Sequence, residues 1–208
     1  TYALSLRRPD DAAGKQSRVQ DLRLAQNYLS FSLALAPDNH DTLNWRAVVN
    51  LALSDTQPKD TADGLAQRTD FMSAAVADRL RMLALAQDDV TRNNDAMLLA
   101  AAYLRLGWND YLQGKYQQAA DEAANGIKYE PGNPALYFNQ GLAELAMGDE
   151  EHARRTYDAG IEVAKQLSGD LRRAKLDEGI GDLQNLLKQK PELQTAAEPI
   201  LKALQAAR

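Results

Sequence analysis

The sequence predicts an all-α chain built from stacked antiparallel helix pairs, a short right-handed superhelix of repeats. Three observations carry that expectation. Residues 100–133 and 134–167 match each other at a constant lag of 34, with identities at Ala101/Ala135, Tyr103/Tyr137, Gly107/Gly141, Gly114/Gly148, Ala119/Ala153, Gly126/Gly160 and Ile127/Ile161. Random pairing at ordinary composition gives roughly two or three identities over such a window. The composition is rich in Ala and Leu with only 6% aromatic residues, which favours helix over strand. Gly and Pro fall in register between the segments, where helices stop and start.

Within each 34-residue unit the pattern reads as two helices. The first runs to about Gln113 or Met147. Gly114 and Gly148 open a tight turn, since glycine ends a helix cheaply at positive φ. The second helix ends near Glu130 in one unit and runs on towards Leu167 in the other. Pro131-Gly132 stops the first of these, and Asn133-Pro134 starts the next helix with Pro at its first position. Gly107, Gly141, Ala119 and Ala153 are small where two helices must come close.

These residues resemble a tetratricopeptide repeat, the helix-turn-helix unit that stacks into a superhelix. Gly107, Gly114, Tyr116, Ala119 and Pro131 carry the likeness in one unit, and Tyr137, Gly141, Gly148, Ala153 and Tyr157 in the next. Lys165 stands where the family has a helix-ending proline. Tyr103 stands where it has its signature Trp, and Trp108 instead follows the small glycine. The resemblance is clear for residues 100–167 and weak for 22–53, where Ala25, Leu29, Ser32, Leu33 and Pro37 have the spacing of a second helix. Leu43 and Ala47 then match Tyr103 and Gly107. Pro37 and Pro131 are 94 residues apart where two beats need 68, so 26 residues are inserted. A turn-rich loop at 54–64 takes part of the excess, and longer helices from about Gln67 to Gln87 and from about Asp95 take the rest. The expected organisation is one domain, 1–208, with degenerate first units at 15–53, an insertion and long helix at 54–99, regular repeats at 100–133 and 134–167, and capping helices at 168–208. Asp170 is the expected N-cap of the first capping helix, Leu176, Ile180, Leu183 and Leu187 share one face of it, and Pro199 kinks or splits the last segment.

Composition narrows the function classes. A net charge of −5 gives no basic footprint, so no nucleic acid is expected as partner. The absence of cysteine removes disulfides, thiol chemistry and Cys-based zinc sites. No apolar run approaches the ~20 residues of a membrane span, and no signal-peptide pattern is visible. The chain begins with Thr1 rather than Met, as a processed product or an excised piece would.

No motif requires a cofactor or a metal. His40 follows Asp38-Asn39 at a helix start, and His152 lies in the charged run "DEEHARR". Neither has a second histidine at i+3 or i+4, so both read as surface residues. Gly179-Ile180-Gly181 lacks the strand and third glycine of a nucleotide-binding turn and reads as a close-packing pair. Asp149, Glu150 and Glu151 suit the dipole of a helix start. The Arg7-Arg8, Arg154-Arg155 and Arg172-Arg173 doublets read as solvated faces.

What remains is a surface. In the family, the first helix of each unit lines the concave side. By register this places Leu104, Trp108 and Tyr111 there, then Phe138, Leu142 and Leu145, with Asn44 and Val48 extending the line upstream. An apolar groove centred on Trp108, Tyr111 and Phe138 suits a peptide or an amphipathic helix. The resemblance therefore implies a non-catalytic protein–protein interaction scaffold, with a protein or peptide as partner. Two alternatives stay open at this point. The groove is filled by the chain itself in a segment of a larger protein, or the chain is a homo-oligomer that self-associates through the apolar face of residues 176–187.

Overall fold

A computed structural model describes residues 12–208. The Arg7-Arg8 doublet lies outside them. Among the described residues there are nine α-helices, one 3-10 turn and no strand: α1 (Ala12–Leu35), α2 (His40–Thr56), α3 (Ala62–Leu85), α4 (Asp89–Leu112), α5 (Tyr116–Tyr129), α6 (Pro134–Ala146), α7 (Glu150–Lys165), α8 (Gly169–Gln189), the turn Pro191–Leu193 and α9 (Gln194–Ala207). α1 packs on α2 and α2 on α3, α5 packs on α6 and α6 on α7, and α8 packs on α7 and α9, as stacked helix pairs require. The contacts form two compact units, Thr1–Ala102 and Tyr103–Arg208.

In the first unit Leu22, Val49 and Leu53 form one apolar cluster with Leu29 and Phe71 against it, while Leu33, Leu43 and Met82 form another. Leu43 and Ala47 are buried, as their register predicted. The 26-residue excess is absorbed almost entirely by helix. α2 continues to Thr56 and α3 begins at Ala62, so the loop predicted at 54–64 shrinks to residues 57–61. Capping explains the difference. The Thr61 side chain accepts from the backbone N–H of Gly64 and starts α3 early. The Arg68 guanidinium donates to the carbonyl of Ser54 at 2.7 Å, tying α3 to the last turn of α2.

This unit also buries charge. Arg46 donates twice to Asp78, at 3.0 and 2.6 Å. Gln26 donates to Asn50 at 2.6 Å. The Nε2 of His40 lies 2.7 Å from Asp95, a buried carboxylate 55 residues away. His40 is thus half-buried and joins α2 to α4, which corrects its reading as a surface histidine. The signal was missed because nothing local to residue 40 announces a partner in α4.

The second unit contains the regular repeats. Gly114 and Gly148 both adopt positive φ, at 72° and 85°. The same bonds close both turns: Lys115 N–H to Asp110 O, and Asp149 N–H to Glu144 O, each 3.0 Å. These are the bonds of a Schellman helix end. Asn133 caps α6 through the N–H of Ala135, with Pro134 in the first turn. Asp149 caps α7 through the N–H of His152, whose exposed ring also meets its carboxylate. α7 stops at Lys165, short of the expected Leu167. α8 starts at Gly169 behind Ser168, so Asp170 lies in the first turn and is not the cap. Pro199 sits inside α9, which is assigned as one helix from Gln194 to Ala207.

The core of this unit joins α6, α7, α8 and α9 through Phe138, Leu142, Tyr157, Ile161, Leu176, Leu183, Leu186 and Ile200 among others. The 176–187 face expected to drive self-association is therefore largely spent inside the unit, with Leu176, Leu183 and Leu186 buried. Of the two glycines at 179 and 181, only Gly179 is a close-packing site. A Cβ there would lie 3.0 Å from the Phe138 ring, whereas Gly181 has open space.

Candidate binding face

The eight residues read as a groove lining do not form one line. Asn44 and Val48 belong to the first unit and are half-buried. The Asn44 carbonyl oxygen accepts a short bond from the Arg79 guanidinium, so its polarity is used internally. Burial holds Arg79 below the usual guanidinium range, with Asp95 and Asp78 opposing that effect.

In the second unit the prediction splits. Phe138, Leu142 and Leu145 are buried rather than groove-lining. Phe138 stacks on Tyr157 at 5.8 Å, and Gly160 of α7 and Gly179 of α8 both close on its ring. The reason is that α8 as well as α7 packs on α6, so the face that register assigned to an open groove is covered by the chain's own later helices. Leu104, Trp108 and Tyr111, on α4, remain half-exposed.

Trp108 and Tyr111 stack with centroids 5.2 Å apart and planes 18° from parallel. Tyr111 meets Tyr116, the first residue of α5, at 5.5 Å in a tilted pair. Above Tyr116 sits the Lys190 ammonium, 4.5 Å from the ring centroid and 2.7 Å from the carbonyl of Ala146. All three rings pack against the unit's core while keeping an outer edge. This ledge is a chain of rings three to five residues apart, folded over the Gly114 turn.

One carboxylate, Asp182, acts on the ledge, and others lie elsewhere in the unit. Burial pushes the Asp182 carboxyl up to about 6, and the neighbouring Glu178 charge adds to that. Its field in turn helps to raise the Tyr111 and Tyr157 phenols, for which burial is the main cause. Burial also raises Asp110 and Glu122. Glu144 accepts from Gln140 at 2.8 Å through one oxygen. Its other oxygen, one oxygen of Glu122 and the Tyr157 hydroxyl are buried without a hydrogen-bond partner. Rings backed by carboxylate favour a cationic or apolar guest over an anionic one. Register named Trp108 and Tyr111, but sequence reasoning did not name Tyr116, Asp182 and Lys190, whose contacts and charge bear on the same rings. The last two lie some seventy residues down the chain, outside the repeat register.

Two clefts open between α7 and α9. One, of about 520 Å³, is lined by Glu150, Glu151, Arg154, Arg155, Thr195, Ala196 and Pro199. Its two acids and two bases balance and supply no single-signed ligand preference. No helix among the described residues is long and apolar enough to cross a membrane.

No family model matches the sequence, and no curated protein matches it. Among solved structures the chain is similar to one described as "Crystal structure of MamA", at 18% identity and a TM-score of 0.48, over 96% of this chain and 95% of that one.

Proposed function

We propose that this chain is a non-catalytic protein-interaction scaffold whose second unit holds a peptide segment or partner helix on the ledge of Trp108, Tyr111 and Tyr116. The observation that supports it most is the stacked, half-exposed ring set, which offers flat apolar area already fixed by core contacts. A preformed surface of this kind loses little ordering entropy on binding. Aromatic anchors of this type dominate interface energetics. Asp182 and the neighbouring acids set a preference for apolar and basic side chains. In this reading Leu104 extends the ledge, whereas Phe138, Leu142 and Leu145 support it from below.

The test is a displayed peptide library selected against the whole chain, followed by titration of the enriched peptides. The expected outcome is enrichment of peptides pairing a large apolar residue with Lys or Arg. Trp108→Ala should weaken them at least ~10-fold, the scale of a hot-spot residue, while a Trp45→Ala control in the first unit leaves them unchanged. Equal affinity for wild type and Trp108→Ala, or no enrichment at all, would remove the proposal.

A further inference from the structure

The outer face of α1 carries more exposed apolar surface than a solvated helix needs. Leu24, Tyr28, Phe31 and Leu35 are 50%, 67%, 66% and 75% exposed. Their spacing of four, three and four residues puts them on one stripe, the d-a-d-a seam of a helix pair. From Leu24 to Pro37 there is no charged residue at all. The opposite face, with Leu22, Leu29 and Leu33, is already packed in the first unit's core. A helix apolar on both faces is a buried helix, and among the described residues α1 is covered on one face only.

The last helix is built differently. α9 exposes Gln194, Thr195, Glu198, Lys202 and Gln205, with a 2.6 Å ion pair between Glu198 and Lys202. Docking α1 of one copy on α9 of another would bury these charges against Tyr28 and Phe31. Head-to-tail stacking is therefore disfavoured, and α1 needs an apolar guest.

We propose that the guest is α1 of a second copy, packed antiparallel about a two-fold axis between Tyr28 and Phe31. The stripe reads the same in both directions, Leu, aromatic, aromatic, Leu at 4-3-4 spacing, which is the self-complementarity that a two-fold interface demands. Antiparallel pairing sets Leu24 against Leu35 of the second copy and Tyr28 against its Phe31. It also brings the exposed Arg23 beside the C-terminal end of the other α1, which has no basic residue in its last turn and is followed by Asp38, already paired with Arg81 at 2.6 Å, and by the exposed Asp41. A cation there is favoured by the helix dipole, with Asp41 the remaining acid nearby. At the given exposures the four side chains offer roughly 350–450 Å² per copy. That is about half the ~800 Å² per partner of a standard interface, the exposed Gln20, Asn27 and Ala34 beside the stripe adding to it. The pair is thus a weak, concentration-dependent dimer.

Sedimentation velocity from ~10 to ~500 µM chain tests this, a range suited to an interface of low-end area. The expected result is a shift from one to two chain masses in wild type, and one chain mass throughout for the Tyr28→Glu/Phe31→Glu variant with an unchanged far-UV melting curve. A wild-type chain that stays monomeric to 500 µM overturns the proposal, as does a double variant that still dimerises. The chain has no cysteine, so introduced thiols report orientation. A mixture of Leu24→Cys and Leu35→Cys chains should crosslink at least ~10-fold faster than either variant alone. Faster crosslinking of Leu24→Cys with itself would overturn the antiparallel arrangement.

Discussion

Replacing Gly141 by Ala should destabilise the second unit even though alanine is the better helix former. The added Cβ would lie 2.7 and 2.9 Å from two ring carbons of Tyr157 and 3.2 Å from the carbonyl of Ala153. Ordinary contact begins near 3.4 Å, so the ring must retreat by about 0.7 Å. It has little room, being fully buried and stacked on Phe138. Overpacking of this kind costs about 1–3 kcal/mol, and the propensity gain of Gly to Ala returns about 1 kcal/mol. The net expectation is a loss of up to roughly 2 kcal/mol, or a Tm lower by up to ~4–8 °C for a chain of this length. Gly181→Ala is the matched comparison. It is also helical, its Cβ would meet nothing within 4 Å, and it should gain about 0.5–1 kcal/mol. Urea unfolding followed by tryptophan emission measures both, with Trp45→Phe in the background so that only Trp108 reports. If both alanines stabilise, close approach of α6 and α7 is not what the glycine serves, and the packing argument for the 34-residue beat fails.

Three further outcomes are expected. Asp182→Asn should flatten the pH dependence of stability between about pH 4 and 7. The raised carboxyl makes a contribution that is fully present below the ordinary carboxylate range and lost as pH rises through about 6. Partial solvation holds the effect to ~1 kcal/mol, read by denaturant titration at several pH values. Tyr157→Phe removes a buried, unpartnered hydroxyl and should raise stability by up to ~1 kcal/mol in the same assay. Asp78→Ala strips Arg46 of its twofold partner and leaves Arg79 with less compensation, so a loss of ~3–5 kcal/mol is expected from thermal unfolding of the first unit.

The repeat was legible because its signals are local and physical. Gly114 and Gly148 mark the two positive-φ turns, and Asn133-Pro134 marks a helix start within two residues. The insertion was legible in size but not in form, since α2 runs on to Thr56 and the Thr61 cap starts α3 at Ala62, leaving only 57–61 as loop. Of the proposed ledge, Trp108 and Tyr111 were named from the sequence because register carries them. Phe138, Leu142 and Leu145 were misplaced because register describes a helix and its immediate neighbour, and the element covering them begins at Gly169, past the last regular unit. The outer stripe of α1 escaped notice for a related reason. Ala25, Leu29 and Leu33 satisfy a one-sided reading of that window, and a second apolar face adds nothing to a periodicity already accepted. The His40–Asp95 pair depends on helices far apart in sequence, and periodicity carries no information about it.

The Phe138 ring is held between Gly160 of one helix and Gly179 of another, each too near to admit even a methyl group without movement. Three positions spread over 41 residues are thereby bound into a single inheritance. Descendants of this chain are expected to exchange a smaller residue at 138 together with a larger one at 160 or 179, and to carry neither change alone for long.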